Sequence, residues 1–199
     1  MNAPIEYRPL QQTSVSPAGC YVLEAFNPPP VNVDSAAVQV MTDLSRVPSA
    51  TIAGDATLDL ANQSMILRSV RLLLVVGEAN RITGVITSND ILGEKPVMVA
   101  QNRHSRRSDL CVADVMVSVE NMEALRIEDV MKSSVGSIVA TLKTAGRAHA
   151  LVVGQREDGK QSLLGVFSAS QIARQLGVQI HTYEVARTFA EIEALIAGI

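Results

Sequence analysis

The sequence predicts an α/β (α+β) fold built from two β-α-β-β-α repeats packed with pseudo-two-fold symmetry, plus an extended N-terminal arm and a C-terminal helix. Nearly the same segment occurs twice, at residues 71–92 and 148–173, and a Val-Met pair lies upstream of each copy. Such self-similarity is typical of a duplicated structural unit. Because a unit of about 60 residues buries so small a share of its surface that its stability alone is marginal, the two repeats are expected to pack together.

The first repeat, residues 35–95, contains each predicted element in order. Thr57 is the expected N-cap of a helix that continues to about Ser69, and Ser88 is the expected cap of a second helix. Branched apolar runs predict three strands, at Ala50 to Ile52, Leu72 to Val76 and Ile82 to Ile86. Helical spacing predicts one buried face on the first helix, formed by Leu58, Ala61, Met65 and Ile66.

The second repeat, residues 110–177, follows the same order after a basic linker at residues 96–109. Gly177 fits a helix C-terminus, where glycine adopts the left-handed conformation without strain. The predicted strands are Ala124 to Ile127, Ala150 to Val153 and Leu163 to Phe167, and the predicted helices are Ser134 to Thr144 and Ala169 to Gln175.

The two ends of the chain have patterns of their own. Residues 1–34 include Pro9, Pro17 and the run Pro28 to Pro30, which favours an extended arm that could lie across a partner subunit. Residues 178–199 carry a heptad-like apolar stripe. This stripe favours either packing on the chain's own repeat or a helix seam between two chains. Its members are Val185, Phe189, Ile192, Ile196 and Ile199.

Composition excludes several classes of protein. The chain has 199 residues, of which 47% are hydrophobic and 19% charged, so a normal globular core is expected. A net charge of −3 and the lack of Trp disfavour nucleic-acid binding. The longest apolar runs are far shorter than the roughly 20 residues of a membrane helix, and no signal sequence is recognised at the N-terminus. A cytoplasmic protein is therefore expected.

Catalytic and metal-binding motifs are not found in the sequence. Cys20 and Cys111 lie in unrelated contexts, so neither a disulfide nor a zinc site is expected. The histidines at positions 104, 149 and 181 are scattered, and no nucleophile elbow, zinc-protease motif or phosphate-binding loop occurs. The protein is therefore not expected to be an enzyme, and no metal or cofactor is expected.

The order of motifs resembles the cystathionine-β-synthase-type (CBS) domain, and the duplication resembles the tandem pair called a Bateman module. The resemblance covers roughly residues 35–177 and rests on three segments: Val40-Met41-Thr42, the strand Leu72 to Val76, and the segment from Gly84 to Asp90. In terms of this family, Thr87 and Asp90 match the positions that hold the ribose and phosphate of adenosine nucleotides.

The strand-to-helix junction after Val85 also suits such a ligand on chemical grounds. A helix N-terminus offers unpaired N–H groups to a phosphate, and the Asp90 carboxylate can accept bonds from two vicinal hydroxyls. The alternative is that Thr87 is only a cap and Asp90 only a partner of the helix dipole. The nucleotide-binding residues expected in the first repeat are Thr42, Ala50, Thr51, Arg71, Gly84, Val85, Ile86, Thr87, Asn89 and Asp90.

A second site, weaker or empty, is expected at the matching junction of the second repeat. Gln171 takes the place of Asp90 there and cannot form a charge-assisted pair. Phe167 replaces Ile86 and would either stack on a base or fill the cleft, and His149 is expected to be a half-buried strand residue. The expected members of this site are Val117, Arg147, His149, Phe167, Ser168, Ser170 and Gln171.

The linker concentrates three arginines that could grip a polyphosphate: Arg103, Arg106 and Arg107. The alternative is a solvated linker.

Two functions fit these observations. The first is a regulatory sensor of AMP, ADP, ATP or S-adenosylmethionine, with Mg²⁺ accompanying ATP, that acts on an unknown regulated protein. The second is a ligand-free scaffold. The resemblance also implies a homodimer.

Overall fold

The computed structural model describes residues 10–20, 30–178 and 185–197 of the chain. Contacts divide it into two units, Met1–Pro30 and Val31–Ile199. In the first unit, Gly19 closes a turn with φ +85° and donates its N–H to the Ser16 carbonyl at 2.7 Å. Pro9, Pro28 and Pro29 of the expected arm lie outside the described residues.

The second unit is a mixed α+β structure with both predicted repeats. Its strands are β1 (Thr42–Asp43), β2 (Thr51–Ala53), β3 (Leu72–Val76), β4 (Ile82–Thr87), β5 (Val117–Ser118), β6 (Ala124–Arg126), β7 (His149–Gln155) and β8 (Gln161–Ser168). Its helices are α1 (Leu58–Leu67), α2 (Ser88–Leu92), α3 (Lys95–Asn102), α4 (Val112–Val115), α5 (Ile127–Val130), α6 (Val135–Thr144), α7 (Ala169–Gln175) and α8 (Val185–Ala197).

The strands form two four-stranded sheets, with the orders β2-β3-β4-β5 and β1-β8-β7-β6. Each sheet has a central antiparallel hairpin and one parallel neighbour, β2 or β6. The fourth strand is exchanged between the repeats, since Thr42 of β1 pairs with Val166 of β8 and Val117 of β5 pairs with Val85 of β4. Three strands per sheet were expected, because a two-residue strand leaves no pattern in the sequence.

The segments that contain the Val-Met pairs extend this exchange. The N–H of Val112 donates to the carbonyl of Ala56 at 2.8 Å, which attaches the start of the second repeat to the first sheet's loops. In the same way, residues 33–37 form backbone hydrogen bonds with residues 133–136. Each half of the fold is therefore completed by chain from the other half.

The predicted helix ends are largely confirmed. The Thr57 hydroxyl accepts from the N–H of Leu60 at 3.2 Å and caps α1. Ser134 caps α6 in the same way, by accepting from the N–H of Ser137 at 3.3 Å. After α7, Gly177 has φ +82°, as a left-handed residue at a helix C-terminus requires.

Two predictions about the first repeat are wrong, and one helix after it was not predicted. Ile66 is 68% exposed, because the buried face of α1 is formed by Leu58, Ala61 and Met65 and the residue after Met65 points away from it. The cap of α2 is Thr87 and not Ser88, so this helix begins one residue earlier than expected. Residues 96–102 of the expected linker belong to α3, whose start carries a proline, a residue favoured in the first helical turn.

The C-terminal helix packs on the core of the second repeat. Phe189 and Ile192 of α8 are buried in one cluster with Phe167 and Ile172. For the described part of the stripe this supports the first of the two alternatives, packing on the chain's own repeat. The side chains of Val185, Ile196 and Ile199 lie outside the described residues.

A separate cluster forms the core of the first repeat, and a small third one joins Leu74, Val85 and Leu151 of the two sheets. Within the described ranges, no helix is long and apolar enough to cross a membrane.

The side chains of Leu60, Leu67 and Leu92 are exposed on helices α1 and α2, which contact each other. The homodimer that the family resemblance implies stays a prediction.

Candidate functional site

Two cavities lie between the sheets of the second unit. The Asp90 cavity has a volume of about 290 Å³ and lies beside the first turn of α2. The Gln171 cavity has a volume of about 330 Å³ and lies beside the first turn of α7. Both volumes are near the lower end of the range of small-molecule sites. The cavities share one wall, formed by Arg71, Leu72, His149 and Ser170.

Both sheets contribute to the Asp90 cavity. Residues 87–90, at the end of β4 and the start of α2, form one side, and residues 146–149, before and at the start of β7, form another. Glu123, which lies just before β6, also lines this cavity. The apolar part of the wall consists of Leu72, Val85, Val117, Met122 and Leu151.

The Asp90 carboxylate is held by the start of its own helix. Its Oδ2 accepts from the N–H of Thr87 at 2.9 Å and from the Thr87 hydroxyl at 2.6 Å, while the Asp90 N–H donates back to that hydroxyl at 3.3 Å. This arrangement is a capping box and fixes the position of the carboxylate. The side chain is only 17% exposed, so its charge is poorly screened by solvent.

Lys95 is a partner of Asp90 that sequence analysis missed. Its Nζ lies 3.4 Å from Oδ1 of Asp90 and donates to the Met116 carbonyl at 3.2 Å. Lys95 is the first residue of α3, and Met116 lies directly before β5. The lysine therefore connects the α2 carboxylate to the exchanged strand. Only recognition of α3, through the proline after Lys95, could have indicated this contact.

Two arginines bring positive charge to the Asp90 cavity. Arg71 donates from Nε and Nη2 to the Ser88 hydroxyl at 3.2 and 3.1 Å. Arg147 forms an ion pair with Glu123, at 3.0 Å between Nη1 and Oε2. The cavity thus combines a carboxylate suited to vicinal hydroxyls, guanidinium groups suited to phosphate and an apolar wall suited to a flat ring.

The Gln171 cavity has different polar groups. The Thr42 hydroxyl donates to Oε1 of Gln171 at 3.1 Å, and the hydroxyls of Ser168 and Ser170 lie 3.1 Å apart. Arg174 lines this cavity together with Arg71 of the shared wall. Among the described lining residues, none is an aspartate or a glutamate.

The expected site residues are not grouped by repeat: some residues expected in one site line the cavity of the other. Thr42 and Ala50, which were expected beside Asp90, line the Gln171 cavity. Val117 and Arg147, which were expected in the weaker site, line the Asp90 cavity. β1 and β5 each join the other repeat's sheet, which accounts for Thr42 and Val117, whereas Ala50 and Arg147 lie just before β2 and β7, which are not exchanged. The other expected residues that line a cavity are Arg71, Val85, Thr87, Asn89 and Asp90 in the Asp90 cavity and His149, Ser168, Ser170 and Gln171 in the Gln171 cavity.

Apart from the linker arginines, four expected residues line neither cavity. Ile86 and Phe167 are completely buried in the two main cores, so Phe167 fills the core and does not face a ligand. Thr51 lies within β2, where it pairs with Leu74 of β3. Gly84 lies against the backbone of β5.

The three linker arginines line neither cavity. Arg103 forms an ion pair with Asp114. Arg107 lies 3.6 Å from the Asp59 carboxylate and donates to the Ile91 carbonyl at 3.4 Å. Arg106 begins the short turn that follows α3. The structure therefore gives no support to the expected phosphate contact, since Arg103 is paired with Asp114 of the second repeat and Arg107 binds residues of the first repeat.

His149 lies in the shared wall and stays neutral at physiological pH. Burial, together with the positive charge of Arg71, lowers the pKa of its imidazole to about 4, although the negative charge of Asp90 acts in the opposite direction. Other charged groups around the two cavities are Glu123, Arg147 and Arg174. In the matching position of the first repeat stands Leu72.

Between pH 6.5 and pH 4, the native protein is expected to lose more stability than the His149→Leu variant. The unfolded histidine takes up a proton near pH 6.5, whereas the folded one does so only near pH 4. The unfolded state therefore binds more protons in this window, and stability rises with pH by less than about 1.4 kcal/mol per pH unit from this group. Its contribution is fully present above pH 6.5.

Urea unfolding at several pH values across this window measures the effect. The exposed His104, changed to Asn, is the control and should retain the native pH dependence. Equal losses in the native protein and in His149→Leu would contradict a half-buried histidine that stays neutral.

The described residues contain no group of three or more His, Cys, Asp or Glu side chains that could hold a metal ion.

The chain is similar to a known protein family in sequence and to solved structures in fold. Residues 36–96 match the family model of the CBS domain. The structure is similar to an uncharacterized conserved protein from Pyrococcus horikoshii, with a TM-score of 0.53 and 16% identity over 76% of this chain and 99% of that one. It is also similar to CBSX2, a CBS-pair protein from Arabidopsis thaliana, in complex with AMP, with a TM-score of 0.50 and 18% identity over 70% of this chain and 94% of that one. No relative among the curated proteins matches the sequence.

Proposed function

Because the chain contains a CBS domain at residues 36–96 and has the fold of a CBS-domain pair, we propose that it is a regulatory module that binds an adenosine nucleotide in the Asp90 cavity. The observation that carries this proposal is a single cavity in which the fixed Asp90 carboxylate, Arg71 and Arg147 surround an apolar wall. The AMP in the complex of the similar plant protein supports the choice of ligand class.

Each part of the cavity has a role in this proposal. The free electron pairs of the Asp90 carboxylate accept hydrogen bonds from the two ribose hydroxyls. A guanidinium group binds the phosphate with two parallel bonds, and Arg147 is suited to this because its ion pair with Glu123 is exposed and weak. Val85 and Leu151 cover the faces of the purine. AMP, ADP, ATP and S-adenosylmethionine remain the candidate ligands, with Mg²⁺ accompanying ATP.

In this proposal, Lys95 couples ligand binding at Asp90 to the position of α3. The ribose hydroxyls compete with its ammonium group for Oδ1 of Asp90, which lies 3.4 Å from Nζ. When the lysine is displaced, α3 loses a contact that ties it to α2 and to the carbonyl of Met116. A ligand can shift a conformational equilibrium only by binding one arrangement better than the other. We propose that the ligand favours the arrangement in which α3 is released, and that a regulated protein recognises this difference.

Asp90→Asn is expected to lower the affinity for AMP about tenfold to a hundredfold. The variant keeps the size of the side chain and one acceptor for the N–H of Thr87, but it removes the charge that strengthens the bonds to ribose. Isothermal titration calorimetry with AMP measures the change, and ADP, ATP and S-adenosylmethionine, titrated in the same way, rank the ligands.

Asp114→Asn is the matched control. Asp114 also closes a capping box, because its Oδ2 accepts from the N–H of Cys111 at 2.8 Å, and it also pairs with a basic side chain, Arg103. It lines neither cavity. The control should lose similar stability and bind AMP as the native protein does. Equal affinity of native protein and Asp90→Asn would rule out the site, and no binding of any adenosine compound would favour the scaffold.

A further inference from the structure

The C-terminal helix α8 contributes to the wall of the Asp90 cavity. Thr188 of this helix lines the cavity and is only 3% exposed. Residues 185–197 follow both repeats in the chain, and none of the described residues that line the Gln171 cavity belongs to α8. We infer that the docking of α8 on the second repeat is coupled to ligand binding in the Asp90 cavity, so that a bound adenosine nucleotide stabilises the docked helix. This inference rests on the proposed function.

Thr188 reaches the cavity because α8 is anchored beside it. Phe189, the next residue, and Ile192 are buried in the core of the second repeat together with Phe167 and Ile172. Thr188 and Ile192 are four residues apart and therefore lie on one face of the helix. A movement of Phe189 and Ile192 out of this core would therefore also move Thr188 away from the ligand.

The helix α7 connects the anchor of α8 to the cavity a second time. Ala169 and Ser170, in the first turn of α7, line the Asp90 cavity. Ile172 of the same helix belongs to the core cluster that holds α8, and the two helices are in contact. Residues that line the cavity and a residue that holds α8 thus lie on one short helix. A ligand that fixes the start of α7 also fixes the surface on which α8 packs.

Few contacts hold α8 in place. Phe189 and Ile192 are the buried apolar side chains of its described part. The ion pair between Lys143 and Glu193 adds little, because both side chains are 52% exposed and solvent screens their charges. Segments with so few buried contacts open locally at a free energy below that of global unfolding. A ligand that contacts Thr188 only in the docked arrangement shifts this equilibrium toward the docked helix.

Peptide-resolved hydrogen exchange of the full chain, with and without saturating AMP, tests this coupling. AMP is expected to slow the exchange of the amides of residues 189–197 about fivefold or more, the lower end of the usual coupling between two sites. The amides of residues 88–93, beside Asp90, should also be slowed and show that AMP is bound. Slowed exchange there, with unchanged exchange in α8, would overturn this inference and leave the proposed function intact. No change in either segment, with no binding of AMP in calorimetry, would overturn both.

Two variants of the same core separate this coupling from a general loss of stability. Ile192→Ala loosens the anchor of α8 and, because coupling between two sites is reciprocal, should lower the affinity for AMP about fivefold. Ile138→Ala is the matched control, since Ile138 of α6 is buried in the same cluster and, like Ile192, lines neither cavity. The control should lose similar stability in urea unfolding and bind AMP within about twofold of the native affinity. Equal affinities of the two variants for AMP would overturn the inference, and the exchange measurement on the native protein needs neither variant to fold.

Discussion

Gly84→Ala is expected to destabilise the protein by about 3 kcal/mol, at the upper end of the usual cost of overpacking. A methyl group at this position would lie 2.5 Å from the carbonyl oxygen of Val117 and 2.7 Å from Sδ of Met116. The carbonyl belongs to β5, which is hydrogen-bonded to β4, and it cannot rotate away. The added carbon must therefore push β5 from the sheet. Urea unfolding, followed by circular dichroism, measures the loss.

Gly165→Ala is the matched comparison and is expected to cost about 1 kcal/mol. This glycine occupies the same place in the second sheet, but its added methyl group would meet the side chain of Met41, at 2.5 Å from Sδ and 2.7 Å from Cγ. A methionine side chain has three rotatable bonds and can move aside. Equal losses for the two variants would show that β5 yields as readily as a side chain.

Phe167→Ala is expected to cost about 3–5 kcal/mol, because it leaves a large cavity in a packed core. The Phe167 ring is completely buried and shares its cluster with Ile172, Phe189 and Ile192. A loss of this size is a large part of the about 5–15 kcal/mol that stabilises an ordinary domain. Thermal and urea unfolding of the purified variant measure the change.

Phe167→Leu tests the same position for ligand binding. It keeps most of the apolar volume and is expected to cost less than about 1.5 kcal/mol. Because Phe167 lines neither cavity, this variant should bind AMP as the native protein does. Weaker binding of AMP by the folded variant would support stacking of the ring on a base, the alternative that the buried position disfavours.

The elements that were predicted correctly have signals that lie within a few residues of one another in the sequence. The capping residues Thr57 and Ser134, the branched run Leu72 to Val76 and the glycine at position 177 each act within a few residues of chain, and the structure confirms them. Propensity and capping suffice for such elements. Pro96 is a local signal for the start of α3, but this segment was predicted to be a linker.

The grouping of site residues could not be predicted in the same way. The strands β1 and β5 have two residues each, too few for a pattern, and their pairing joins residues far apart in the chain. Thr42 therefore bonds to Gln171 instead of lying beside Asp90. A duplicated sequence suggests that each repeat builds its own site. Because the edge strands are exchanged, residues of both repeats line each cavity.

The same exchange determines what happens when the chain is divided. A cut in the segment between α3 and α4, residues 103–111, would give one fragment that has β1 without its partner β8 and another that has β5 without its partner β4. Each fragment alone would expose the unpaired edge of a sheet, which invites aggregation. Mixed together, the two fragments hold every strand needed for both sheets. The halves of this protein should thus be soluble as a complementing pair, because neither half alone contains all four strands of a sheet.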